Sequence, residues 1–289
     1  MRTKWQAGAV TIECVVNVSE GRDQDFLARL ADAAGPVLLD LHRDPDHHRS
    51  VFTLAGQAEP VTHAVRALAR ASVASLDLGT HQGAHPRLGV LDVVPFVPYT
   101  PGRLPRHDLD AVVPLRDAFA RWMSATLGVP TFLYGPLPGG ENRTLPQVRS
   151  HAFAELPPDF GPRRPHPTAG ATCVGARSVL VAYNVWVSSV EVARTVAPLV
   201  RGPAVRALGL AVGQGAQVSC NLVDPAEVGP AEAYDTVRGL VEEAGGAVER
   251  AELVGLLPAA VLRVIPASRW AQLGLSAEKT VEARLGGPA

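Results

Sequence analysis

Apolar runs alternate with stretches of helical spacing along this chain, and the alternation lays out its elements. Val10 to Val18 predicts a strand, and Asp23 to Ala34 carries Phe26, Leu27, Leu30 and Ala33 at helical intervals. Val37 to Leu41 returns to a strand, and Ser50 to Ala55 reads as another. Pro60 opens a helix over Val61 to Ser75, where Val65, Leu68, Ala69 and Ser72 repeat at the same period. Leu91, Val93, Val94, Phe96 and Val97 form a buried strand that Pro98 ends; Leu115 to Leu127 is a helix and Thr131 to Tyr134 a strand. From Gly135 to Gly170 the composition shifts to Pro, Gly and Arg, and an irregular segment of that length in a compact domain is more often functional than idle. Strands then follow at Val179 to Val187, Val205 to Val212 and Gln217 to Val223, with helices at Glu232 to Ala244 and Pro258 to Val264. Glu191 to Leu199 opens a second unit. The pattern predicts mixed α/β layers with a boundary near Ala176 to Val179, dividing the chain into 1–177 and 178–289.

Composition narrows the class. With 289 residues, 47% hydrophobic and 19% charged, the chain has ample apolar surface for a core. A formal charge of -1 and the absence of basic runs argue against nucleic acid and anionic membrane as partners. Cys14, Cys173 and Cys220 are widely spaced with no CxxC pair, which fits a reducing cytoplasm and reads as three small buried hydrophobes. Arg2 and Lys4 precede an apolar stretch that Glu13 and Asn17 interrupt, so neither a leader peptide nor a membrane span is expected. GxGxxG and Walker patterns are absent.

Chemistry concentrates between His81 and Pro98, HQGAHPRLGVLDVVPFVP. Gly83 and Pro86 disfavour a helix there, so His81, His85 and Arg87 are expected on a loop feeding the strand. The pattern HxGxHPRxGxxDVxPFxP resembles the signature of the formimidoyltransferase (formiminotransferase) family. Glu13-Cys14-Val15-Val16-Asn17-Val18-Ser19-Glu20-Gly21-Arg22 and Asp44-Pro45-Asp46-His47-His48-Arg49-Ser50-Val51 are similar to two further family segments. Thr131 to Gly135, Asp159 to Pro162 with Gly170 to Thr172, Gln217 to Leu222 and Leu253 to Leu256 continue the likeness in order, over nearly the whole chain.

The resemblance implies a fold of two α/β subdomains, each a mixed sheet with helices packed on it, with the substrate cleft between them. It implies transfer of a formimidoyl group from N-formimidoyl-L-glutamate to tetrahydrofolate as co-substrate, in histidine degradation and one-carbon metabolism, by a metal-independent cytoplasmic enzyme that forms a homodimer. In animals a cyclodeaminase domain follows, for which 289 residues leave no expected room. The catalytic histidine is by resemblance that of the HPR triplet, His85, and a histidine can both give and take a proton near neutral pH. Arg87 and Arg49 are candidate carboxylate anchors, since a guanidinium fork matches a carboxylate. Asn17 is a candidate ligand contact, while Ser19 reads as a helix cap. Gly161, Pro162, Arg163, Arg164, Pro165, His166, Pro167, Thr168, Ala169 and Gly170 match the stretch lining the family's folate site. Asp40, His42, Asp44 and His81 are candidate supporting residues.

The chain departs from the family pattern at three positions. His42 stands where an acidic residue is common, leaving Asp40 or Asp44 to orient His85; Ala84 replaces a Glu and Ala169 a Trp. These changes leave open a folate-binding homologue that is inactive or uses another donor such as a formyl compound; a separate alternative is a metal hydrolase built on His42, His47, His48, His81 and His85 with Asp44 and Asp46. HEXXH is absent and the spacing gives no zinc signature.

Overall fold

Asp23 accepts a hydrogen bond from the Phe26 amide at 2.9 Å and so starts the first helix, satisfying a donor that the first turn leaves open. The computed structural model describes residues 11–103 and 108–286; Arg2, Lys4 and Val10 lie outside them. These residues form two compact units, 11–99 with 108–177 and 100–103 with 178–286.

The first unit runs β1 (Thr11–Val18), α1 (Gln24–Ala34), β2 (Leu38–Asp44), β3 (Arg49–Gln57), α2 (Ala58–Ser75), β4 (Leu91–Pro98), α3 (Val113–Leu127), β5 (Thr131–Pro136), β6 (Asn142–Arg143), α4 (Leu145–His151) and β7 (Thr172–Ala176). Its sheet has the order β2-β3-β1-β4-β7-β5-β6 and is mixed: β4, β7 and β5 are parallel, the remaining pairs antiparallel. Phe26, Leu27, Leu30 and Ala34 of α1 join Val61, Val65, Leu68 and Ala69 of α2 and Phe119 and Met123 of α3 in one core against Val94 and Phe96. The inward face of α1 ends in Ala34; Ala33, expected there, is exposed. A smaller cluster of Val93, Phe132, Tyr134 and Cys173 includes Val148 of α4.

The second unit runs β8 (Val181–Val187), α5 (Val190–Val200), β9 (Val205–Val212), β10 (Gly215–Leu222), α6 (Pro230–Glu243), β11 (Val248–Val254), α7 (Ala259–Arg263) and α8 (Val281–Arg284). Its sheet, β11-β8-β10-β9, is antiparallel throughout. The mixed α/β layering expected from the sequence is present, with a mixed sheet in the first unit alone. Only β9 and β10 form a hairpin; α5 carries the chain from β8 over β10 to β9, and α6 carries it from β10 over β8 to β11, so each helix bridges two strands that run the same way without pairing.

Several elements differ from the sequence reading, the short α8 among them. The irregular segment after β5 contains β6 and the helix α4, and β7 and β11 are strands that hydrophobic spacing did not mark. All three cysteines are free and buried, and burial pushes the Cys220 thiol up to about 12. Among the described residues, no helix is long and apolar enough to cross a membrane.

Candidate active site

Four segments of the first unit converge: the end of β1 with its following loop, the β2–β3 turn, the loop entering β4, and α4. Their approach is close because of a glycine. A Cβ on Gly83 would stand 2.3 Å from the His47 carbonyl oxygen and 2.9 Å from Cβ of His48, so any side chain there would push the loop off the turn. The β1 loop is fastened to the same turn by Arg22 Nε donating to the Pro45 carbonyl at 2.9 Å. Ser50 Oγ adds a bond to the Glu20 carbonyl at 2.6 Å.

His85 lies at the centre. Its Nδ1 is 2.7 Å from the Pro86 carbonyl oxygen, which only accepts, so Nδ1 carries the proton. Nη1 of Arg49, which only donates, lies 2.5 Å from Nδ1 and 2.8 Å from Nε2; with the Nδ1 proton directed at the carbonyl, Nε2 is the nitrogen left to accept from it. Arg49 gives its remaining fork to Asn17 Oδ1, from Nε at 2.9 Å and Nη2 at 2.5 Å. Burial, with the charges of Arg49 and Arg149, pushes the imidazole down to about 2, so His85 is neutral at physiological pH. Burial also lowers Arg49, to about 10.

A similar arrangement recurs at His81 with the ring nitrogens exchanged. Its Nε2 is 2.9 Å from the His48 carbonyl oxygen, and Nη1 of Arg87 lies 2.6 Å from Nδ1 and 2.7 Å from Nε2. Burial and Arg87 hold His81 below its ordinary value. The His48 and His81 rings stack at 4.1 Å. Arg87 also donates to the His85 carbonyl from Nε at 3.1 Å and Nη2 at 2.5 Å, and to the His47 carbonyl at 3.2 Å. Its fork braces backbone.

Of the supporting candidates, Asp44 accepts from the amides of Asp46 and His47 at 2.9 and 2.8 Å and faces the His47 ring at 3.3 Å, shaping the turn. Asp40 and His42 lie on β2 opposite Thr53 and Val51. Ser19, expected as a helix cap, is instead buried and donates to the Gly89 carbonyl at 2.8 Å; Asp23 has the capping role because it stands three residues before Phe26. Gly161, Pro162, Arg163, Arg164, Pro165 and Pro167 are exposed. His166 and Gly170 exchange backbone bonds at 2.8 and 3.0 Å, closing a tight turn, and Nδ1 of His166 accepts from the Ala169 amide at 3.0 Å. Thr168 receives the Leu78 amide at 2.7 Å; Ala169 lies in the core with its carbonyl on the Val90 amide at 3.0 Å. The inner half of this segment is therefore fastened to the histidine loop.

Two residues of the cluster carried no site expectation. Arg149, from α4, donates to the Pro86 carbonyl at 3.1 Å and to the buried Asp92 carboxylate at 2.5 Å. The other Asp92 oxygen accepts from the Leu88 amide at 2.7 Å. A signal for α4 exists in the sequence: Thr144 and Gln147 form a capping box, with Pro146 in the first turn. Among the described residues, no three His, Cys, Asp or Glu side chains group as a metal site.

The proton on His85 has a consequence for stability. The unfolded chain takes that proton near pH 6.5, the fold only near 2, so between these values the unfolded state binds more protons and stability falls as pH falls. Melting temperature followed downward from neutral pH is expected to decline, with a shallower slope in His85→Gln. Equal slopes would show that the imidazole charges freely within the fold.

The α/β scaffold holds a neutral histidine among guanidinium groups, an arrangement chemically able to exchange a proton and to pair with an anion. Residues 11–177 match the family model described as the formiminotransferase domain, N-terminal subdomain, and the chain belongs to the formiminotransferase family. It is 33% identical to a glutamate formimidoyltransferase of Streptococcus pyogenes serotype M1 over 88% of this chain and 91% of that one. A glutamate formimidoyltransferase of Thermoplasma acidophilum is 32% identical, with 86% and 88% covered. The formimidoyltransferase-cyclodeaminase of Rattus norvegicus is 34% identical over 86% of this chain, which spans 50% of that relative. A solved microcompartment protein from Desulfitobacterium hafniense aligns at 14% identity and a TM-score of 0.24 over 85% of this chain and 94% of that one, too slight a likeness to inform fold or function.

Proposed function

We propose that the protein transfers the formimidoyl group of N-formimidoyl-L-glutamate to tetrahydrofolate, giving 5-formimidoyltetrahydrofolate and glutamate. The observation that carries this reading is the neutral His85, Nε2 toward Arg49, in a chain similar along most of its length to glutamate formimidoyltransferases. The folate amine adds to the amidine carbon and its proton passes to Nε2 of His85. The imidazolium then returns that proton to the glutamate nitrogen as the bond from the amidine carbon to glutamate breaks. A base whose charged form is disfavoured gives its proton up readily but takes it poorly.

Arg49 resolves this. Its present acceptors, Asn17 and His85, are neutral, whereas a substrate carboxylate offers the guanidinium an opposite charge and two parallel hydrogen bonds. A carboxylate that draws Arg49 aside frees Nε2 and offsets the largest charge depressing the imidazole, whose proton affinity then rises against the burial that chiefly lowers it. Arg49 and Asn17 thus form the carboxylate anchor, and Arg87 the brace of the loop. The exposed prolines and arginines from Pro162 to Pro167 supply ring faces and cationic donors for a pterin and its acidic tail. No resident metal takes part in this scheme, because the ring nitrogens of His81 and His85 are engaged by carbonyls and guanidinium groups. The buried free thiols suit a cytoplasmic setting. Purified protein supplied with both substrates is expected to form 5-formimidoyltetrahydrofolate; well-folded protein that forms none would sink the reading.

A further inference from the structure

We infer that Arg149 is a positioning residue: by fixing the Pro86 carbonyl against the buried Asp92 carboxylate, it keeps the proton of His85 on Nδ1 and leaves Nε2 for the reaction. The inference rests on His85 as the proton carrier proposed above. It begins with one oxygen atom. The Pro86 carbonyl accepts both Nδ1–H of His85 at 2.7 Å and Nη1–H of Arg149 at 3.1 Å, so its direction is set by the guanidinium.

Arg149 is held in turn. Its Nη2 lies 2.5 Å from Asp92, whose side chain is 2% exposed, and the second carboxylate oxygen takes the Leu88 amide. Arg149 thus ties α4 at once to a buried strand carboxylate and to the backbone beside the histidine. A planar fork reaches a carboxylate and a carbonyl together, which one ammonium group on a longer flexible stem does not reproduce. Without Arg149 the carbonyl is free to turn, and the imidazole can carry its proton on Nε2 instead, the atom that must be empty to accept one. The charges facing His85 are those of Arg49 and Arg149, with the His47 ring beside it at 6.0 Å. Loss of Arg149 therefore also raises the proton affinity of His85.

The test reads the tautomer directly. In the full chain labelled with nitrogen-15 histidine, and assigned with His85→Gln, His85 is expected to show a protonated Nδ1 and a bare Nε2. In Arg149→Met the Nε2–H form should gain population and the titration of His85 should move to higher pH. Arg149→Lys keeps a charge and should restore the titration more fully than the tautomer. Turnover of Arg149→Met is expected to fall about tenfold or more with the KM of both substrates nearly unchanged, the size typical of groups that orient a reacting side chain. Because Met at 149 leaves Asp92 unpaired, Arg149→Met with Asp92→Asn serves as the variant without a stranded charge. An unchanged tautomer and an unchanged turnover number in either folded variant would overturn the inference. Absence of turnover in the unaltered protein would instead overturn the proposed reaction, while the nitrogen signals would still decide what Arg149 does.

Discussion

His85→Ala is expected to lower the turnover number by about 10²- to 10⁴-fold, the usual worth of a positioned proton carrier. The KM values should change little, because Arg49 and Asn17, the proposed carboxylate contacts, remain joined through two bonds to Asn17 Oδ1. Stability should be nearly preserved as well: the ring is only partly buried and lies on a loop rather than in either core cluster of the first unit. The comparison to make is steady-state kinetics beside a thermal melt. A variant that keeps its melting temperature and its turnover would remove His85 from the chemistry; one that loses both would make it a structural residue.

Gly89→Ala should have the largest effect on the scaffold of the site. A Cβ at this position would stand 2.1 Å from the Ala171 carbonyl oxygen and 2.8 Å from that of Ala169, both backbone atoms that cannot swing aside. The Gly89 carbonyl also receives the Ser19 hydroxyl, so displacement would reach the β1 loop. Overpacking of this kind costs about 1–3 kcal/mol or more, and each kcal/mol lowers the melting temperature by about 2–4 °C in a chain of this size class. Gly239→Ala is the control: inside α6, nothing lies within 4 Å of a built Cβ, so helix propensity alone acts and should favour the variant slightly. Comparable melting of Gly89→Ala and Gly239→Ala would mean that the loop yields without cost.

The elements of the first unit were legible where side chains show a clear period. Val65, Leu68, Ala69 and Ser72 of α2 are all buried, as their spacing predicts, and β4 is buried along nearly its whole length. β7 was not legible because its five residues, TCVGA, are all buried and so do not alternate. β11, VERAELV, hides for the opposite reason: it is an edge strand with a single buried residue, Leu253. The helix α4 has seven residues and buries only Val148, too little for a helical period to appear.

The site divides along the same physical line. Gly83 and Pro86 mark the histidine loop by breaking local structure, so His81, His85 and Arg87 could be placed from spacing alone. What spacing does not carry is the partner of each side chain. Arg87 and Arg49 look equivalent in sequence, yet the first spends its fork largely on backbone carbonyls and the second on two side chains. Arg149 lies 57 positions from Asp92 in the chain, and a pair formed across that separation leaves no local pattern.

The backbone bonds that join Leu78 to Thr168, Val90 to Ala169 and Ala171 to Leu88 give the histidine loop and the 161–170 segment a common fate. Neither can open by itself, since the amides of one are closed by the carbonyls of the other. Local opening there is a single cooperative event, and its free energy is shared between the loop that presents the proposed proton carrier and the stretch proposed to receive the pterin. A ligand that orders the second would stiffen the first without touching it, so a pterin bound as proposed is expected to damp the fluctuations of the His85 imidazole.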